Sequence, residues 1–201
     1  LNDETNREFF GQSSNMNKNE YSIYPDQELF AMLGQPVHSE SAFRELYRRN
    51  EMRVWSYCTI ALHNQDKARD IAQEAFVRFY RMGVQGTVVE NPGAYLMRIV
   101  RNLCLDEKKN EKGFVPLENI EIPVSGDIYE QKELEYMVET ALQLLPEEHK
   151  DALIMQTFSE MSYDEIARAQ NVPLTTVRNR IVRAKKKLRE ILSPYLNDLK
   201  S

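Results

Sequence analysis

The sequence predicts an all-α protein of two small helical domains joined by an extended linker, and three observations predict it. Apolar residues recur at spacings of three and four along most of the chain from about residue 25. A proline- and glycine-broken acidic segment, GFVPLENIEIPVSGDIY (113–129), cuts that pattern in two. Beyond it, a helix-capping signal, a tight turn and a strongly basic helical stretch follow one another directly. The expected organisation is a disordered tail over 1–20, a helical domain over 21–112, the acidic flexible linker over 113–129 and a second helical domain over 130–201.

In the first domain, residues 40–62 place Phe43, Leu46, Tyr47, Val54, Tyr57 and Cys58 at helical spacing. Residues 66–81 repeat the pattern with Ala68, Ile71, Ala72, Ala75, Phe76, Phe79 and Tyr80. The loop MGVQGTVVENPG then interrupts it, and Asn91-Pro92 signals the start of a third helix over 94–109. There Leu96, Ile99, Val100, Leu103 and Cys104 fall on one side, toward the core, and Arg98, Arg101 and Asn102 on another. Strands lack support, because the Val88-Val89 and Val115 runs are too short.

The linker carries Glu118, Glu121 and Asp127 without a basic residue. Helices resume with EQKELEYMVETALQLL, and Pro146 opens the next one, with Glu147 and Glu148 suited to the positive end of its dipole. Ser162 and Glu165 form a capping box for the short helix SYDEIARAQ, and Asn171-Val172-Pro173 turns the chain into the basic helix. Two helices joined in this way describe a helix-turn-helix.

Composition removes several functional classes. Hydrophobic content of 42% in 201 residues supports cores. No apolar run approaches the roughly 18–20 residues needed to span a bilayer, so membrane insertion is not expected. Cys58 and Cys104 sit in apolar helical patterns as small buried residues, and His38, His63 and His149 have no Cys or His at ligand spacing. No phosphate-binding glycine loop, metal site or acid–base pair is visible, so no catalytic residue, metal or cofactor is expected, and the chain does not read as an enzyme.

The formal net charge is −5, yet VPLTTVRNRIVRAKKKLRE (172–190) concentrates Arg178, Arg180, Arg183, Lys185, Lys186, Lys187 and Arg189. Val177, Ile181, Ala184, Leu188 and Ile191 form its core face at about 100° per residue. Thr175, Thr176, Asn179, Arg183 and Lys186 form the opposite face, with Arg178 and Arg180 on its flanks. Short polar and guanidinium groups at the N-terminal end suit base edges in a major groove, and lysines further on suit phosphates. A solvated surface helix requires no such gradation, so duplex DNA is the expected ligand.

LPEEHKDALIMQTFSEMSYDEIARAQNVPLTTVRNRIVRAKKKLRE resembles domain 4 of bacterial sigma factors. DIAQEAFVRFYR (70–81) and AYLMRIVRNLCLDEKK (94–109) resemble the polymerase-gripping and −10-melting segments of sigma domain 2. The compact form is similar to the extracytoplasmic-function (ECF) group. The resemblance implies that Asp70, Gln73 and Glu74 meet the clamp of RNA polymerase core. Tyr95, Arg98, Arg101 and Asn102 would hold the −10 element, with loop 83–91 taking a flipped base. Thr175, Thr176, Arg178, Asn179, Arg180, Arg183, Lys186 and Lys187 would bind the −35 element. It further implies contact with the polymerase flap, threading of the linker through the RNA exit path, control by an anti-sigma factor and a cytoplasmic location. Tyr95 stands where many relatives have Trp, Thr175 where many have Gly, and Asn179 where many have Ser. Arg69 stands where the residue is often acidic. Two other readings fit parts of the chain. One is a one-component helix-turn-helix regulator with a helical sensing domain, and the other is an all-helical adaptor that sequesters a partner.

Overall fold

Side-chain caps at Asn64, Asn91 and Ser162 mark where three of the helices begin. The computed structural model describes residues 21–110, 137–138 and 140–198, and no strand occurs among them. The tail 1–20 and the linker 113–129 lie outside the described residues. A 3-10 turn at Tyr21–Ile23 leads into α1 (Asp26–Met32), whose first turn carries Asp26 and Glu28. α2 spans Ser39–Leu62 and stops at His63, which takes the left-handed conformation at φ 52°. α3 (Gln65–Val84) starts where the Asn64 side chain accepts from the Lys67 N–H at 3.0 Å. α4 (Pro92–Asn110) starts where the Asn91 side chain accepts from the Ala94 N–H at 2.8 Å, as the Asn-Pro signal predicts.

Among the described C-terminal helices one has such a cap. Residues 140–143 are helical, and α5 (Glu147–Thr157) begins behind Pro146. α6 (Tyr163–Gln170) carries the complete Ser162–Glu165 capping box. Asn171 closes it at φ 53°, a conformation Asn tolerates, and α7 runs from Leu174 to Asp198.

α1 to α4 enclose Leu29, Phe30, Leu46, Val54, Tyr57, Phe79, Leu96, Met97 and Val100, all buried. Each such large apolar side chain contributes about 1.5–3 kcal/mol by leaving water. Aromatic contacts fix the helices' relative positions. The Tyr47 and Phe76 rings lie 4.5 Å apart and the Phe30 and Phe79 rings 4.8 Å apart. Cys58 and Cys104 are free thiols whose sulfurs sit 4.0 Å apart, joining the C-terminal part of α2 to α4.

In the C-terminal half, Ile154, Met155, Ile166, Val177 and Ile181 are buried where α5, α6 and α7 meet. These residues and the core of α1–α4 belong to a single apolar cluster. α6 packs along α4, and α5 lies against α2. Ile60 of α2 also packs on a second cluster of Leu142, Leu145, Leu153 and Ala184. The two helical halves are therefore closed upon each other.

Candidate nucleic-acid interface

Three helix faces carry the predicted functional residues, and the fold treats each differently. On α7 the core seam is as expected, with Val177, Ile181 and Ala184 buried. Thr175, Arg178, Asn179, Arg183, Lys186 and Lys187 stand exposed on the outside, and Thr176 is half-buried. Val172 N–H bonds back to the Ala167 carbonyl at 3.0 Å, which sets the angle at which α7 leaves the turn. The face is a row of donors and cations on a rigid helix, suited to a duplex groove.

Arg180 departs from that row. Its guanidinium donates to Gln170 Oε1 at 2.8 Å and pairs with Glu148, and its side chain is only 14% exposed. It ties α7 to α6 and α5 instead of standing with the reading face. The pairing decides its direction, because a carboxylate and an amide oxygen within reach hold a guanidinium more firmly than water does.

On α3, Asp70 is exposed, and Gln73 and Glu74 are half-buried opposite the buried Ala75, Phe76 and Phe79. Glu74 accepts from Arg78 at 2.6 Å one turn along, and Arg69 lies 3.6 Å from Asp66. The acidic-polar row is accessible, although its charge is partly balanced from within the same helix.

On α4, Arg98 and Asn102 are exposed. Tyr95 is half-buried, edge-on to Phe30 with ring centroids 6.5 Å apart. In the preceding loop Gly86 adopts φ 74° and Val88 is 96% exposed. Arg101 is placed otherwise. Its Nε donates to Asp151 Oδ2 at 2.7 Å, and Asp151 also accepts from the Tyr57 hydroxyl at 2.9 Å. Burial pushes the Asp151 carboxyl above its ordinary value, against the pull of the Arg101 guanidinium and the Tyr57 hydroxyl. Burial, with Asp151 beside it, pushes the Tyr57 hydroxyl well up.

Two further cations share the situation of Arg101, and sequence reasoning passed over both. Arg53 of α2 donates to the Ser159 carbonyl at 3.0 Å and to Glu165 at 3.2 Å, while the Ser159 hydroxyl donates to the Arg53 carbonyl at 3.1 Å. Lys108 of α4 donates to Glu147 at 2.5 Å. Burial raises Glu165, but the Ser162 N–H, the Ser162 hydroxyl and Arg53 outweigh it and hold the carboxyl below its usual range. At Glu147 the same push is outweighed by Lys108 and Lys150. The spacing of Glu147 and Asp151, one turn apart on α5, was the available signal, yet it has the same form as an ordinary acidic helix start.

Comparison with known proteins places both halves in one context. Residues 46–113 match the Sigma-70 region 2 family, and residues 136–188 match the Sigma-70, region 4 family. The ECF RNA polymerase sigma factor SigE of Mycolicibacterium smegmatis is 31% identical over 163 residues, covering 77% of this chain and 63% of that protein. The ECF RNA polymerase sigma factor SigM of Mycobacterium tuberculosis is 30% identical over 158 residues, covering 78% of this chain and 79% of that protein. Among solved structures, the sigma factor RpoE of Bartonella quintana, in complex with the anti-sigma factor NepR, shares the fold. Its TM-score is 0.59 at 20% identity, over 75% of this chain and 96% of that one.

Proposed function

The chain belongs to the ECF RNA polymerase sigma factors, and from that premise we propose how its work divides between two helical domains. As a member of that group it binds RNA polymerase core and directs promoter recognition and transcription initiation. Residues 130–201 form the −35-binding domain, with Thr175, Thr176, Arg178, Asn179, Arg183, Lys186 and Lys187 on the duplex. The observation that carries this is the exposed polar-to-basic row of α7 above its buried Val177–Ile181–Ala184 seam.

Residues 21–112 bind the polymerase clamp through Asp70, Gln73 and Glu74, and capture the −10 strand with Tyr95, Arg98, Arg101 and Asn102. Extracting a base from the stack costs a few kcal/mol, which ring stacking and phosphate contacts on α4 and loop 83–91 would offset. Residues 113–129 link the two, their carboxylates suited to a positively lined channel. The Bartonella quintana relative, solved with an anti-sigma factor, supports a similar inhibitor for this chain.

The test is run-off transcription with polymerase core. Arg98→Ala combined with Asn102→Ala should leave promoter bound in a closed complex but slow strand opening, read by permanganate reactivity of unpaired thymines. Normal opening by that variant would remove α4 from the role. A one-component regulator would instead bind duplex tightly without core. The two matched sigma regions, in the family's order, favour the sigma reading.

A further inference from the structure

One side chain on the outer face of α7 is out of keeping with its neighbours. Val182 is 64% exposed, although α7 already buries an apolar seam through Val177, Ile181 and Ala184. A single exposed valine is common on protein surfaces, so its position is what matters. At about 100° per residue, Thr175, Asn179, Val182 and Lys186 fall within about 60° of one another. Val182 thus lies inside the row of donors and cations, one turn beyond Asn179 and one turn before Lys186.

We infer that Asn179 and Val182 together select adjacent A·T pairs in the −35 element, Asn179 by holding an adenine edge and Val182 by packing on a thymine methyl group. This rests on the reading of α7 as the −35-binding helix, and it names the bases that two of its residues take.

The chemistry of the groove assigns each base. Adenine presents an N7 acceptor beside an N6 donor, and the short amide of Asn179 offers the complementary donor and acceptor. Thymine carries the one apolar group on the major-groove edge, its C5 methyl. Contact between that methyl and the Val182 side chain removes apolar surface of both from water. Against a purine edge, Val182 would instead take N7, O6 or N6 out of water with no partner to offer, which disfavours those bases there.

Rigidity and register agree with this. Three residues of helix rise about 4.5 Å, against about 3.4 Å between base pairs, so the two side chains face neighbouring pairs. The preceding Ile181 is buried, and α7 is packed on α5 and α6, so the backbone that carries Val182 is fixed. A β-branched side chain in a helix already has one strongly preferred rotamer, and ordering it against DNA therefore costs little. Arg180, held by Gln170 and Glu148, does not compete for these bases.

The experiment uses holoenzyme assembled from the full chain and polymerase core. Duplexes randomised over the promoter region are selected for binding, and the upstream element they share should contain two adjacent A·T pairs. That element is then remade with deoxyuridine for the thymine of one pair, which removes only the methyl. In the other pair 7-deazaadenine exchanges the N7 acceptor for a C–H. With wild type, the first change should weaken binding roughly fourfold and the second about tenfold. Val182→Ala should abolish the first loss and keep the second, and Asn179→Ala should do the reverse. Val182 is exposed and Ala is the better helix former, so that variant keeps its fold.

A methyl effect that persists in Val182→Ala overturns the proposal, because the methyl would then act through duplex shape or another side chain. An N7 effect that persists in Asn179→Ala, or an upstream element without adjacent A·T pairs, overturns it equally. The reading on which it rests fails differently. Selection that yields no upstream element at all removes α7 from −35 binding, whereas a clear element with unaltered discrimination in both variants refutes only the roles of Asn179 and Val182.

Discussion

Arg101 Nε lies 2.7 Å from Asp151 Oδ2, so the guanidinium that helical periodicity directs toward DNA is held by a carboxylate of the chain's own C-terminal half. Its neighbour Asn102, one position on, stands exposed. The difference arises from what lies across the junction. Asp151 is buried with the Tyr57 hydroxyl, and a carboxylate removed from water must find strong donors. A guanidinium supplies them in a fixed fork and gives up its hydration more readily than an ammonium.

The two arginines on the flanks and face of α7 should behave differently. Arg183→Ala should weaken −35 DNA binding by about 1–3 kcal/mol and relax the preference at one base pair. Arg180→Ala should lower the thermal midpoint and leave binding within a few tenths of a kcal/mol, because its partners are Gln170 and Glu148. With about five phosphates neutralised, binding by the C-terminal helices should fall by roughly two to three decades between 50 and 200 mM salt. Titrations at several salt concentrations with each variant decide all three points.

Core polymerase provides the second test. Gln73→Ala with Glu74→Arg places a cation in the accessible row of α3 and breaks the Glu74–Arg78 pair. The dissociation constant for core should rise at least about tenfold, or 1.4 kcal/mol. Circular dichroism should remain that of the parent, since that pair is solvent-exposed and contributes about 0.3–0.5 kcal/mol. Unchanged core affinity would move the polymerase contact elsewhere on the molecule.

Acid stability should depend on Glu45. Hydrogen bonds from Arg48, joined by Arg49, hold this buried carboxyl down to about 2 against the upward push of burial. Arg49 in turn bonds Asp26 and the carbonyls of Tyr24 and Ser22, which fastens the 3-10 turn and the start of α1 to α2. The folded value lies below the unfolded one of about 4.5, so the unfolded chain takes up the proton first as pH falls. The stabilisation is complete above about pH 4.5 and is lost progressively toward about pH 2. Thermal midpoints of wild type and Glu45→Gln should therefore differ most near neutral pH and converge at about pH 2. Parallel profiles would show that Glu45 is not the titrating group.

Packing between α1 and α3 offers a fourth measurement. Gly83 is buried in the last turn of α3, and a Cβ there would fall 2.4 Å from Leu33 Cδ1 and 2.8 Å from Leu33 Cβ. The second atom cannot swing away, because it is fixed to the backbone. Gly83→Ala should cost about 1–3 kcal/mol in denaturant unfolding. Gly86 is open on all sides but has φ 74°, so Gly86→Ala is penalised by backbone strain and not by crowding.

Much of the architecture is determined by residues a few positions apart, and for that reason the sequence alone determines it. The Asn91-Pro92 start of α4, the Ser162–Glu165 box, the Asn171 turn and the buried seam of α7 all depend on spacings of three or four. Such contacts form within one or two helical turns whatever the rest of the chain does. Tertiary structure alone decided the partners of Arg53, Arg101, Lys108 and Arg180, and the meeting of Cys58 with Cys104. A charged side chain on a helix surface has one local signature, whether water, DNA or another helix faces it. Arg101 and Asp151 stand 50 positions apart, and only the docking of α5 and α6 onto α2 and α4 brings the carboxylate to the guanidinium.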